Sequence, residues 1–346
     1  MQRMRLLLWP FSVVYGFILS IRNWLFNKGF LKTYVIPNKS ICVGNITVGG
    51  TGKSPMTIYI VELLRDFNPS ILSRGYGRAT KGPILAGDSE TAASIGDEPF
   101  MYRQRFGKDV PIVVAEERKL GVEILNKTVP TATIILDDAF QHRKVTAGLQ
   151  LVLTTFDRPI FNDFPFPAGN LRETRSGLKR ADIVVVTKCP DLVDETTKAH
   201  YIKKLHFPAE KVFFTKVVYG DLKPVFSAVW EEPEVVLLVT GIANPLPLQQ
   251  HLEKQYEVEL MAFPDHHAFT PKDLLSIRQK VATFASRRLA IVTTEKDAVR
   301  LLGFAETEDM QSFPWFYQTM SLEIDRKEAF NNLLLKYVTG TNERSR

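Results

Sequence analysis

The chain has 346 residues, 45% of them hydrophobic, and two cysteines, Cys42 and Cys189; it can bury two cores, or one with a satellite, but not a disulfide framework or a C-x-x-C zinc site. Its net charge of +6 is local: residues 1–61 hold Arg3, Arg5, Arg22, Lys28, Lys32, Lys39 and Lys53 and no acid, which leaves the rest of the chain at −1. That distribution excludes a nucleic-acid footprint along the whole protein and suits anionic lipid headgroups near the N-terminus, at about 1 kcal/mol per close charge.

The first predicted element is a helix. Leu6 to Ile21 is almost wholly apolar, and Arg22-Asn23-Trp24-Leu25-Phe26 follows. The run lacks the small-residue site that a cleaved signal peptide needs. As a helix, Leu6 to Phe26 reaches about 30 Å, enough to span a bilayer. Pro10, Ser12, Gly16, Ser20 and Arg22 weaken a spanning helix, whereas Trp9, Phe11, Tyr15, Phe17 and Trp24 suit one lying at headgroup depth. Attachment to a membrane is expected, with a helix buried in the protein's own core as the alternative. If the helix spans, the basic flank keeps the remainder of the chain in the cytoplasm.

Next comes Ile41-Cys42-Val43, a short strand, and then Val48-Gly49-Gly50-Thr51-Gly52-Lys53-Ser54 before a helix-like stretch from Pro55 to Arg65. A glycine-rich loop between strand and helix turns unpaired N–H groups toward one point, where the helix dipole is positive and phosphate binds. Gly49, Gly50, Thr51 and Gly52 form the cradle. Lys53 reaches the β- and γ-phosphates, and the Ser54 hydroxyl ligates magnesium. The pattern G-x-x-x-x-G-K-[ST] is a variant here, because Thr47 stands at the first glycine.

Beyond the loop, apolar runs at 69–73, 111–114, 132–136, 150–154 and 182–187 alternate with helix-like stretches, as in a mostly parallel α/β sheet flanked by helices. Chemistry in such sheets sits at the carboxyl ends of strands. Ser73-Arg74-Gly75-Tyr76-Gly77-Arg78 lets backbone approach an anion while Arg74 and Arg78 fork it. In Gly96-Asp97-Glu98-Pro99, Asp97 reads as a helix N-cap or as a general base, and residue type does not separate the two. Thr133–Asp138 is a Walker-B-like strand in which Asp137 and Asp138, if both extended, point to opposite sides, so at most one of them faces magnesium. Thr187-Lys188-Cys189-Pro190-Asp191 is weakly similar to the guanine-reading N-K-x-D, out of register by one and with Thr in place of Asn.

Gly220, Pro224 and Glu231-Glu232-Pro233 break the pattern. New strands at 235–239 and 289–293 follow. The expected organisation is an N-terminal membrane-associated helix (1–35), a P-loop core (36–218), a linker (219–232) and a smaller α/β lobe (233–346). Closure of this lobe over the nucleotide would exclude water. In that lobe Phe263-Pro264-Asp265-His266-His267 places two of the six histidines side by side. Adjacent histidines lack the i, i+4 spacing of a helical zinc site, so an Asp–His pair tuning a base is the more economical reading.

In this order, GGTGKS, SRGYGR, GDEP, LDDAFQH, PAGNLRE and FPDHH closely resemble the tetraacyldisaccharide 4′-kinases, the lipid A 4′-kinases of Gram-negative bacteria. The resemblance runs from the apolar N-terminus to Thr293–Leu301. It implies transfer of the ATP γ-phosphate to the 4′-hydroxyl of a tetraacylated glucosamine disaccharide 1-phosphate, giving lipid IVA at the cytoplasmic face of the inner membrane. Carried over by motif, Lys53 and Ser54 serve ATP and Mg2+, Asp97 is the base with His266 as its partner, and Asp138 belongs to the catalytic set. Asp137 and, more weakly, Glu173 are metal candidates. Arg74, Arg78, Arg118, Gln141 and His142 are substrate contacts. The bilayer is an expected partner, and neither nucleic acid nor an obligate protein partner is. The competing readings are a P-loop regulatory ATPase with the loop K-G-G-T-G-K-[ST], a GTPase and a purely structural membrane protein. Val48 stands where the regulator carries its signature lysine.

Overall fold

Strands that are apolar at every position, rather than at alternate ones, are covered on both faces. The runs around Ile41, Ile71, Ile135 and Val185 are of this kind. In the computed structural model, which describes residues 5–130, 132–226 and 230–340, they become β1 (Ser40–Asn45), β2 (Pro69–Ser73), β3 (Ile112–Val114), β4 (Thr133–Asp137), β5 (Leu149–Thr155) and β6 (Ile183–Thr187). The second half of the chain adds β7 (Val212–Pro224), β8 (Val235–Thr240), β9 (Glu257–Ala262), β10 (Leu289–Thr294) and β11 (Trp315–Ile324).

These strands join one twelve-stranded sheet in the order β9-β8-β10-β11-β7-β6-β5-β1-β4-β2-β3, ending on a two-residue strand, Ile84–Leu85. Pairing is parallel throughout except for Ile84–Leu85 against β3 and for β7 against β11. In the first half, β1 lies between β4 and β5, so the loop leaving Asn45 emerges beside the ends of β4 and β5. That is the crevice position at which open α/β sheets bind ligands.

The linker expected at 219–232 needs correction. Tyr219–Pro224 belongs to β7, a thirteen-residue strand that pairs in parallel with β6 at Val212–Phe214 and antiparallel with β11 from Thr215 to Pro224. Gly220 and Pro224 do not end the strand. Gly220 sits in a bulge between Tyr219 and Leu222, and Pro224 is the strand's last residue, where a missing N–H costs no interior ladder bond. The two halves therefore share a sheet. Residues 227–229 of that linker, 341–346 of the expected C-terminal lobe and Arg3 of the basic flank lie outside the described residues.

Each half has apolar layers on both faces of its strands. The last helix, Lys327–Thr339, returns to the first half and buries Phe330, Leu334 and Val338 in its core, about 2 kcal/mol for each side chain. Tyr337 ties that helix to Ser40 at the start of β1.

Helix α1 (Trp9–Asn27) carries Pro10 in its first turn, where a fixed φ and a missing N–H are suited. Its burial is inverted. The residues that face the protein are Ser12 and Gly16, while Trp9, Phe11, Val14, Phe17, Ile18 and Trp24 are exposed. Gly16 lets the helix approach closely, since a Cβ there would stand 3.3 Å from the Thr174 methyl. Ser12 Oγ accepts the Ala168 N–H at 2.8 Å, and the Tyr15 hydroxyl donates to the Arg172 carbonyl at 3.2 Å.

Candidate active site

Beyond Asn45 the chain turns through Gly49 and Gly52, at φ 101° and 85°, conformations that glycine adopts without a Cβ clash. Helix α2 (Lys53–Leu63) then starts with Gly52 as its N-cap. Side chains from neighbouring strand ends hold the loop. The Thr187 hydroxyl donates to the Thr51 carbonyl at 2.8 Å, and Asn45 Nδ2 donates to Thr51 Oγ1 at 2.7 Å. Thr47, at the position of the missing first glycine, forms a bridge with Leu171, and the Val48 N–H donates to the Asn170 carbonyl at 2.8 Å. The variant residue is thus pinned by the 165–171 segment. Thr187 secures the loop, whereas Asp191 is exposed and pairs with Lys216; no guanine-reading pair forms.

The acidic side of the site differs from the sequence expectation. Asp137 ends β4, but Asp138 has φ 49°, so the two are not both extended and the argument from opposite sides fails. Asp138 takes both Arg172 Nη1 contacts at 3.1 Å and has Lys53 Nζ at 3.6 Å. Asp137 is buried; its Oδ2 accepts from the Tyr102 hydroxyl at 3.2 Å and its Oδ1 has no partner. Burial, with Glu98 and Asp138 adding repulsion, pushes Asp137 up to about 7. An orphaned carboxylate oxygen among like charges beside the loop lysine fits a divalent cation. Among the described residues no three acidic or imidazole groups form a ready metal cage, as expected where phosphates complete the shell of Mg2+.

The carboxylate beside Ser54 is Glu98, not Glu173. Ser54 Oγ donates to Glu98 Oε1 at 3.2 Å, and Lys296 Nζ reaches the same oxygen at 3.1 Å. Burial works to raise Glu98, but Lys296 outweighs it and keeps the carboxyl below its usual range. Glu173 is buried elsewhere, with Arg180 on both oxygens at 2.7 Å, Gln141 at 3.1 Å and Asn23 of α1 at 3.2 Å. Its charge is already matched, which removes the physical reason for a metal there.

Asp97 opens helix α3 (Asp97–Phe106), but it is not the cap. Gly96 is the N-cap, at φ 94°, where a Cβ would stand 3.0 Å from the Tyr76 carbonyl. The Asp97 side chain is therefore free of the helix end. Arg300, from helix α5 of the second half (Glu295–Leu301), donates to Asp97 Oδ2 through Nε and Nη2 at 2.8 and 2.7 Å. His266 Nδ1 lies 3.7 Å from the same oxygen. Burial opposes the charge, yet His266 and Arg300 together hold Asp97 below the usual carboxylate range. His266 has φ 60° and stands edge-on to the exposed Tyr76 ring at 6.2 Å. His267 is turned away, onto Asp273 at 3.0 Å, where it supports the cap of helix α4 (Pro271–Ala282).

Of the expected substrate contacts, Arg74 is exposed. Arg118 is buried, with an unpaired Nε, and burial brings it down to about 10. His142 keeps a buried, unpartnered Nε2; burial and the nearby Arg118, Lys144, Arg74 and Arg22 bring it down to about 4, so the ring is neutral at pH 7. Arg74, Arg118 and His142 lie within electrostatic reach of one another, with Arg22 of α1 near His142. Arg78 and Gln141 are placed differently. The Arg78 guanidinium is 2% exposed and clamps Glu116 and the Gly82 carbonyl, closing the 75–82 turn. The Gln141 amide ties the Asn45 carbonyl to Glu173.

Sequence reasoning missed Glu98, Arg172, Lys296 and Arg300 as site residues. Arg172 and Glu98 adjoin residues it chose. Lys296 and Arg300 carried no local signal, because their partners lie about two hundred positions away in the chain.

A family model described as LpxK, tetraacyldisaccharide-1-P 4′-kinase, matches residues 4–339. A tetraacyldisaccharide 4′-kinase of Flavobacterium johnsoniae is 41% identical over 346 residues, covering 98% of both chains. One from Bacteroides fragilis is 40% identical over 350 residues, covering 96% of this chain and 92% of the other. The crystal structure of LpxK from Aquifex aeolicus in complex with ATP superposes with a TM-score of 0.75 at 28% identity, covering 97% of this chain and 99% of that one.

Proposed function

The chain belongs to the tetraacyldisaccharide-1-P 4′-kinase family, and from that premise we propose that Asp97 is the general base for attack by the 4′-hydroxyl on the γ-phosphate of ATP. The observation that carries this reading is the partnering of Asp97. Its carboxylate is freed from capping by Gly96, kept ionised by Arg300, and flanked by His266. A sugar hydroxyl is a poor nucleophile until a carboxylate within about 3 Å takes its proton.

On the donor side, Gly49 to Gly52 cradle the phosphates and Lys53 neutralises them. Ser54 and Asp137 would hold Mg2+, which supplies charge neutralisation on the transferring phosphoryl group. Asp138 fixes Lys53 and Arg172 in place. Since phosphoryl transfer has a loose transition state, most of the rate comes from this positioning rather than from covalent chemistry.

The acceptor is a lipid disaccharide, and the cluster of Arg74, Arg118 and His142, with Arg22 of α1 near it, suits its phosphate. Helix α1 is long and apolar enough to cross a membrane. Its outward apolar side and inward Ser12-Gly16 stripe support a helix docked on the protein and immersed at the cytoplasmic face of the inner membrane.

The test is transfer from γ-labelled ATP to the tetraacyl disaccharide 1-phosphate in mixed micelles, with product position mapped. Label at the 4′ position is expected. ATP hydrolysis at an equal rate without the lipid would contradict the reading. Phe11→Asp with Phe17→Asp should abolish flotation with anionic vesicles, and retained flotation would remove α1 as the anchor.

A further inference from the structure

We propose that Arg300 is a positioning residue that sets the orientation of the Asp97 carboxylate and acts on turnover only through it; the inference rests on the reading of Asp97 as the base. Nε and Nη2 both donate to Oδ2, and His266 Nδ1 approaches that oxygen too, 3.3 Å from Arg300 Nη2. Among the described residues no hydrogen bond reaches Oδ1. One oxygen is therefore gripped and the other is left to accept a proton. Two coplanar donors on a single oxygen restrict rotation of the carboxylate about its Cβ–Cγ bond, which a single point charge does not.

The fork is itself anchored. Nη1 donates to Asp297 Oδ1 at 2.6 Å and to the Gly241 carbonyl at 3.2 Å. Asp297 is fully buried, and its Oδ2 accepts from Thr294 Oγ1 at 2.8 Å and from the Gly241 N–H at 2.9 Å. The Gly241 carbonyl also accepts the His266 N–H at 3.0 Å. A single peptide at the end of β8 thus holds Arg300 and His266 together. A Cβ at Gly241 would stand 3.2 Å from both Asp297 Oδ1 and His267 Cβ, so the position accommodates glycine. The base lies in the first half of the sheet and everything that orients it comes from the second. Lysine cannot replace arginine here, because one ammonium cannot reach both Asp97 and the Asp297–Gly241 anchor.

The experiment is a kinetic cycle of Arg300→Ala, Arg300→Lys, Asp97→Asn and the Asp97→Asn/Arg300→Ala double variant, at saturating ATP and lipid. Misplacement of a reacting group by about 1 Å costs roughly 100-fold, so Arg300→Ala should lose ~100-fold in kcat with KM for ATP within about threefold. Arg300→Lys keeps the charge without the fork and should lose ~10-fold. The double variant should be no slower than Asp97→Asn alone, and millimolar methylguanidinium should raise Arg300→Ala turnover by ~10-fold. A wild-type rate in Arg300→Lys overturns the proposal even if Arg300→Ala fails to fold around the stranded Asp297. So does a double variant slower than Asp97→Asn by the full Arg300→Ala factor, or a loss confined to KM. An inactive Asp97→Asn with an active Arg300→Ala overturns this inference alone, whereas an active Asp97→Asn removes the base reading and this inference with it.

Discussion

The phosphate loop and helix α5 meet at the same site but are built in opposite ways. The loop is a contiguous segment, 46–54, whose geometry follows from its own glycines and from the start of α2. Helix α5 is seven residues long and sends Glu295 to Arg105, Lys296 to Glu98 and Arg300 to Asp97, all on α3 of the other half. The loop is shaped mainly by local backbone and pinned by Thr187 and Asn170 of its own half, while α5 is tied in by ion pairs to the other half. A site of this kind has a preformed half and a half that exists only when the two parts of the sheet are docked.

The difference can be broken at three points. Lys53→Ala acts on the preformed half and should cost ~100-fold or more in kcat/KM for ATP, measured by transfer kinetics. A normal ATP dependence in that variant would remove the loop from donor binding. Lys296→Gln tests the boundary, since Lys296 belongs to α5 yet touches Glu98, which in turn holds Ser54. It should raise the apparent KM for Mg2+-ATP by ~10-fold, because it removes a positive charge and leaves the buried Glu98 carboxylate unpaired beside Ser54. An effect on kcat alone would move Lys296 to the acceptor side. Gly96→Ala strains the backbone at φ 94° and presses on the Tyr76 carbonyl; it should lower stability by about 1–3 kcal/mol, read as a fall in Tm. An unchanged Tm would show that the cap tolerates a side chain and that Asp97 could cap its own helix.

The same contrast explains what the sequence disclosed. The strands of the first half were legible because unbroken apolar runs such as Ile134–Leu136 have one reading inside a βα alternation. The placement of Lys53 and Ser54 at the start of α2 and of Asp137 at the end of β4 was legible because each belongs to a strand–loop–helix pattern. The linker was not, since Gly220 and Pro224 are ordinary breakers whose bulge and strand-end positions only pairing with β11 reveals. For Asp97 the sequence left cap and base open, because a helix-opening Asp suits both; the structure gives the cap position to the glycine before it. Glu173 looked free for metal until Arg180 and Asn23 arrived from other segments. Arg300 carried no signal at all, because a guanidinium on a short helix is ordinary until its partner is known. The N-terminal helix was legible in composition, but its inverted burial, with Ser12 and Gly16 inward, depended on the 165–174 segment it packs against.

The central claim is that Asp97 takes the proton of the acceptor hydroxyl, and a single-turnover measurement with Asp97→Asn tests it most directly. With enzyme in excess and γ-labelled ATP prebound, transfer to the lipid disaccharide should slow by roughly 100-fold or more while ATP affinity stays within about threefold of wild type. Transfer at near the wild-type rate would contradict the account.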